Sequence, residues 1–131
     1  MTSLSGHCLC GATRFKLEGP SNWVGHCHCD SCRRATSSPI TTFIGHPDGK
    51  WAIEGTLKEF QSSTPVTRAF CSGCGSPIYY RSSEIPDETH FYAALLDDPS
   101  KVEPTVHWHF DEVLPWLHIS DNLAKKGAYG D

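Results

Sequence analysis

The chain has 131 residues, 38% of them hydrophobic, and 15 acidic against 11 Lys and Arg residues give a net charge of −4. That length suits one domain over 1–131, with a lean core of the kind that metals or disulfides often reinforce. An acidic balance with no basic run excludes a nucleic-acid partner, and no apolar stretch approaches the roughly 18 residues that cross a bilayer.

Along the chain, short runs of β-formers alternate with turn residues. In Ala12-Thr13-Arg14-Phe15-Lys16-Leu17, Phe15 and Leu17 share one face and Arg14 and Lys16 the other. Glu18-Gly19-Pro20 stops that period of two. A helical turn over 30–35, with Asp30 as N-cap, is the best helix candidate. Ile40-Thr41-Thr42-Phe43-Ile44 predicts a second strand. Trp51-Ala52-Ile53 and Leu57-Lys58-Glu59-Phe60 read as a hairpin turning at Glu54-Gly55. Residues 65–70 lead into Cys71-Ser72-Gly73-Cys74-Gly75, and Ile78-Tyr79-Tyr80-Arg81 leads out. This is the form of a zinc knuckle, in which glycine allows the tight turn. Residues 90–96 predict another strand, closed by Asp97-Asp98-Pro99. The tail holds Val106-His107-Trp108-His109-Phe110 and Pro115-Trp116-Leu117-His118-Ile119. If its strand continues, His107 and His109 share a face with Asp111. The expected class is mainly β, built from short strands with little helix.

Seven cysteines fall into three clusters: Cys8 and Cys10; Cys27, Cys29 and Cys32; Cys71 and Cys74. An odd count cannot be used up by disulfides. The start, Met1-Thr2-Ser3-Leu4-Ser5-Gly6, lacks the charged and apolar regions of a secretory signal. The expectation is a soluble cytoplasmic protein, and there clustered cysteines more often bind metal. A structural zinc takes four protein ligands, and a catalytic one keeps three plus a free position. Cys27, Cys29 and Cys32 are near enough for one loop to aim all three sulfurs at one ion. Cys8, Cys10, Cys71 and Cys74 would pin the N-terminal strand to a distant hairpin, which stabilises folding because the unfolded chain has no preformed site. Two zinc ions per chain are therefore expected, since thiolates favour zinc or iron–sulfur clusters. Other readings stay open: disulfides with a free thiol, an iron–sulfur cluster, or a trio closed by His7, His107 or His109. His26 and His28 are too cramped to close it.

A zinc ion on three thiolates carries a net charge of about −1, which makes it a weak Lewis acid. Such a soft site suits binding and deprotonating a thiol, which could then attack a small carbonyl. Arg33 and Arg34 follow the trio directly. Either could hold a carboxylate of a thiol cosubstrate, with Arg33 the better candidate. The plainer role for both is to be solvated or to offset the negative site.

Cys-x-Cys-Gly at Cys8, then Cys27-His28-Cys29 with Cys32-Arg33-Arg34, then Phe70-Cys71-Ser72-Gly73-Cys74-Gly75-Ser76 resembles the glutathione-dependent formaldehyde-activating enzyme family. Centromere protein V resembles the same family. The resemblance extends to Leu96-Asp97-Asp98-Pro99, His107-Trp108-His109 and Pro115-Trp116. It implies a β-tent, two layers of short antiparallel strands leaning over zinc. It implies a structural zinc on Cys8, Cys10, Cys71 and Cys74, and a catalytic zinc on Cys27, Cys29 and Cys32. The implied activity is that of a carbon–sulfur lyase joining formaldehyde to glutathione as S-hydroxymethylglutathione, so the partners would be a small thiol and a small aldehyde. Two readings of other classes stand beside it: a non-catalytic zinc module that binds macromolecules, and a redox-responsive protein whose trio loses metal on oxidation.

Overall fold

The computed structural model describes residues 3–127. In chain order the elements are β1 (Ser3–His7), β2 (Arg14–Glu18), β3 (Trp23–Cys27), α1 (Asp30–Thr36), β4 (Thr41–Pro47), β5 (Trp51–Glu54) and β6 (Leu57–Gln61). There follow β7 (Val66–Cys71), β8 (Pro77–Ser82), β9 (Glu88–Tyr92), β10 (Val106–Trp108) and β11 (Ala124–Lys125), with short 3₁₀ turns between the last three. The fold is mainly β, in two sheets.

The small sheet runs β1-β2-β5, all antiparallel. Alternation decides its buried side: Leu4 in β1, and Phe15 and Leu17 in β2, point inward. The large sheet runs β11-β10-β3-β4-β9-β8-β7-β6. It is antiparallel from β3 to β6, and β10 and β11 add to its edge in parallel.

Residues opposed across neighbouring strands share a face, so register sorts the large sheet into two surfaces. Ile44 opposes Phe91, and Phe91 opposes Tyr79. These residues meet the small sheet, where Phe15 stacks on Phe91 with ring centroids 5.0 Å apart and Trp51 meets the same ring edge-on at 5.5 Å. With Leu4, Leu17, Ala69, Ile78 and Leu96 they form the main core. Each large side chain buried there contributes about 1.5–3 kcal/mol. The opposite surface carries Phe43, Tyr92, Tyr80 and Arg68, linked by the pairs Phe43–Tyr92 and Arg68–Tyr80. Phe43 and Tyr92 pack there with Cys27 and Cys32.

Several expectations are corrected. The hairpin at Glu54-Gly55 does not form: β5 pairs with β2 and β6 with β7, so the chain changes sheets there. Gly55 has φ +104°, and a Cβ on it would lie 2.0 Å from the Ala12 carbonyl oxygen, so the crossing needs glycine. The strand expected over 90–96 stops at Tyr92, and Ala93–Leu95 coil into a 3₁₀ turn. β10 ends at Trp108 because His109 takes a left-handed φ of 54°. His107 and His109 therefore do not continue one face to Asp111. No helix among the described residues is long and apolar enough to cross a membrane.

Candidate functional site

Both cysteine pairs of the four-sulfur cluster sit where a strand reverses. Cys8 and Cys10 lie between β1 and β2; Cys71 closes β7, and Cys74 precedes β8. The two turns share a construction. Gly11 and Gly75 have φ of 81° and 80°, and their N–H groups donate to the carbonyls of Cys8 and Cys71 at 3.1 and 2.8 Å. A left-handed residue there turns the chain back under its own sulfurs, which glycine does without steric cost. The four sulfurs lie within 4.8 Å of one another. Around a tetrahedral zinc at about 2.3 Å, sulfurs stand about 3.8 Å apart. Cys8 and Cys10 are 3.6 Å apart and Cys10 and Cys71 3.8 Å, so the donors fit such an ion.

Neutral donors surround this cluster. The backbone N–H of Thr13 points at the Cys8 sulfur (3.3 Å) and that of Gly73 at Cys71 (3.4 Å). The Ser76 hydroxyl and then its backbone N–H bring the Cys74 thiol down to about 5. Hydrogen bonds to a thiolate favour it over the thiol, which is what a metal ligand requires.

The trio is built differently. Cys27 ends β3, Cys29 precedes α1, and Cys32 lies in its first turn. Cys29 is itself the N-cap, a place expected for Asp30: its sulfur accepts the Cys32 N–H at 3.3 Å. Sulfur can take the role that an Asp or Ser oxygen usually plays. Cys27 and Cys32 are buried and Cys29 half-buried, with all three sulfurs within 4.8 Å. Hydrogen bonds from Cys27, then Cys32, hold the Cys29 thiol far below its ordinary range. The reciprocal contacts with Cys29 and Cys32, and then burial, push Cys27 up. A stabilised thiolate crowded by two more sulfurs is a setting that a cation relieves. Both clusters could hold a metal ion.

Among the described residues, no histidine nitrogen or carboxylate joins either cluster. The three histidines weighed as a fourth ligand are engaged elsewhere. His7 bonds Asp97. His109 lies 3.3 Å from Glu112. His107 lies between His28 and Asp121: its Nδ1 is 2.8 Å from His28 Nε2, and its Nε2 is 2.9 Å from an Asp121 oxygen. Burial, then the charges of His107 and His26, lower His28 to about 4, so it is neutral behind the trio.

Arg33 is tied into the same loop. Its Nε donates to the His28 carbonyl at 3.2 Å, and one Nη lies 3.5 Å from Asp30. Arg34 is more exposed and lies 3.1 Å from both Asp30 oxygens. The arginine nearest the trio is instead Arg68, which the sequence reading missed. Its Nη atoms lie 3.8 and 3.7 Å from the Cys32 sulfur. Burial opposes its charge, yet Cys32 and Tyr92 together offset this and its pKa rises. The only signal for it was a basic residue two positions from Phe70 and Val66 on one strand face. Beside it a cavity of about 630 Å³ opens between α1 and β6–β8, walled by Ser31, Arg34, Phe60, Ser62, Arg68 and Tyr92.

Comparison with known proteins points to one family. A family model described as "glutathione-dependent formaldehyde-activating enzyme" matches residues 3–112. An uncharacterized lyase of Schizosaccharomyces pombe is 32% identical over 82 residues, 61% of this chain and 58% of that protein's length. A Halomonas elongata protein, provisionally named glutathione-dependent formaldehyde-activating enzyme, is 27% identical over 127 residues, covering 88% of this chain and 80% of its own. The chain thus spans little more than half of the yeast relative and most of the bacterial one. The crystal structure of a Rhodobacter sphaeroides protein superposes with a TM-score of 0.61 at 23% identity, over 76% of this chain and 91% of that one, and so shares the fold. With most of its length matched by one family model, the chain belongs to the glutathione-dependent formaldehyde-activating enzyme family.

Proposed function

We propose that this protein is a zinc enzyme that adds a thiol, glutathione or a relative of it, to a small aldehyde such as formaldehyde. The observation that supports this is a trio of converging cysteine sulfurs to which no fourth protein donor is added among the described residues. Zinc held there would supply a soft cation that binds an incoming thiol and favours its thiolate at neutral pH. Cys27, Cys29 and Cys32 are the proposed ligands, and half-buried Cys29 marks the side open to solvent. Arg33 is the proposed contact for a carboxylate of the thiol. It lines a shallow cavity with Arg34, Ser38 and Trp116. Cys8, Cys10, Cys71 and Cys74 are the proposed ligands of a structural zinc within one domain over 1–131.

The reaction is a simple addition. A carbon–sulfur bond forms as the carbonyl π bond opens, and the thiol proton ends on the carbonyl oxygen. The family and the lyase-named relative support this class of chemistry. The cytoplasm, where glutathione keeps thiols reduced, is its natural setting. The test is carbon-13 NMR exchange between labelled formaldehyde and its glutathione adduct. The wild type should speed the exchange above the spontaneous rate, and Cys29→Ser should not. Equal rates with and without protein would instead favour the non-catalytic zinc module.

A further inference from the structure

We propose that Arg68 is the built-in counter-cation of the Cys27–Cys29–Cys32 metal site, fixed on the Cys32 sulfur so that the loaded site accepts an external thiolate. The proposal rests on the reading of the trio as an open metal site.

A buried guanidinium needs an anion, because removing its charge from water is otherwise too costly. Arg68 is only 9% exposed. Among the described residues, no carboxylate pairs with it; its contacts are Ser62, Ser31, Tyr92, Tyr80 and Cys32. Tyr92 and the two serines offer it hydroxyl groups, and Tyr80 a ring face. Cys32 is the contact left to carry negative charge.

The geometry also says what Arg68 does not do. A guanidinium has five N–H donors. Nε points to Ser62 Oγ at 3.3 Å. Nη1 faces the Cys32 sulfur (3.8 Å) and the Tyr92 hydroxyl (3.5 Å). Nη2 faces the same sulfur (3.7 Å) and Ser31 Oγ (3.4 Å). The Tyr80 ring covers one face, its centroid 5.1 Å from the guanidinium carbon. Every donor has a protein partner, so none remains for a substrate carboxylate, although Arg68 lines the cavity. Arg68 acts through Cys32 and is a positioning residue.

Charge explains why this site needs it. A divalent ion on three thiolates carries about one net negative charge, and taking up an external thiolate makes it about two. A fixed cation against one ligand favours both states, and donors to metal ligands tune a site in this way. On the same reading the four-sulfur cluster takes up nothing further, and its donors are neutral backbone N–H groups.

The test uses full-length protein loaded with cobalt(II), whose sulfur-to-metal absorption reports each thiolate. Wild type, Arg68→Met and Arg68→Gln are titrated with glutathione and, separately, with a chelator. In both variants thiol uptake at the trio should weaken at least about tenfold, and the trio metal should be lost to chelator at lower concentration, as for other outer partners of metal ligands. The four-sulfur metal should be retained as in wild type. Arg68→Gln keeps a donor without charge and serves if Arg68→Met does not fold. Wild-type uptake with unchanged uptake in the folded variant overturns this inference alone. A wild-type trio that never takes up thiol overturns both it and the reading beneath it.

Discussion

The two sulfur clusters differ first in where their ligands come from. Cys8, Cys10, Cys71 and Cys74 are drawn from two hairpins in two different sheets, so a metal among them ties the layers together. Cys27, Cys29 and Cys32 come from one β3–α1 loop on one face of one sheet. Closing a contact between distant segments removes much of the unfolded chain's freedom, and closing one within a short loop removes little. On the proposed reading, a metal on the first cluster stabilises the fold. On the same reading the second adds little stability, and it has a charged partner, Arg68, where the first has backbone N–H groups.

Substitutions should separate the two roles. Cys71→Ser breaks the cluster that spans the sheets, and the loss should exceed about 4 kcal/mol, as for removal of a structural metal. Thermal unfolding followed by circular dichroism should lose its cooperative transition. Gly55→Ala strikes the same region without touching a sulfur. Its Cβ would press on the Ala12 backbone behind Cys10, at a φ that disfavours alanine. A cost of about 2–4 kcal/mol is expected from denaturant melts.

Cys29→Ser should contrast sharply. Serine is a good N-cap, so the helix start survives, and the cost should stay near 1 kcal/mol or less. Elemental analysis should nevertheless show one metal ion lost per chain while the other remains. Unfolding of this variant would mean that the trio is structural after all.

The smallest effect concerns the sheet face behind the trio. Glu88 accepts from Asn22 and Trp23 and lies 3.0 Å from His90. The His90 contact, against burial and helped by Asn22, holds the Glu88 carboxyl below its usual value. A lowered folded pKa means stability that is full above about pH 4.5 and is lost as pH falls further. Glu88→Gln should therefore cost about 1 kcal/mol at pH 7 and progressively less below pH 4.5, read as the difference in melting between variant and wild type.

Features carried by neighbouring residues were readable before the structure. The cysteine spacings, the Phe15 and Leu17 alternation of β2 and the strands flanking the Cys71 turn are all local patterns. The misses depend on distant pairing. Trp51–Ile53 had every hairpin signal, yet β5 found the better apolar surface beside β2, where Trp51 reaches Phe91. Arg68 becomes a site residue only when β7 pairs with β8 and puts it on the face of Tyr80 and Tyr92. His107 reaches His28 only because β10 runs parallel to β3, a pairing that short-range alternation does not announce.

The central claim is that one cluster is closed and the other keeps a place for an outside sulfur. X-ray absorption at the zinc edge, on protein holding two zinc ions, tests it before and after adding glutathione. The mean number of sulfurs per zinc should rise, because the trio gains a fourth sulfur while the four-cysteine site stays as it was. An unchanged sulfur shell with both sites filled would contradict the account.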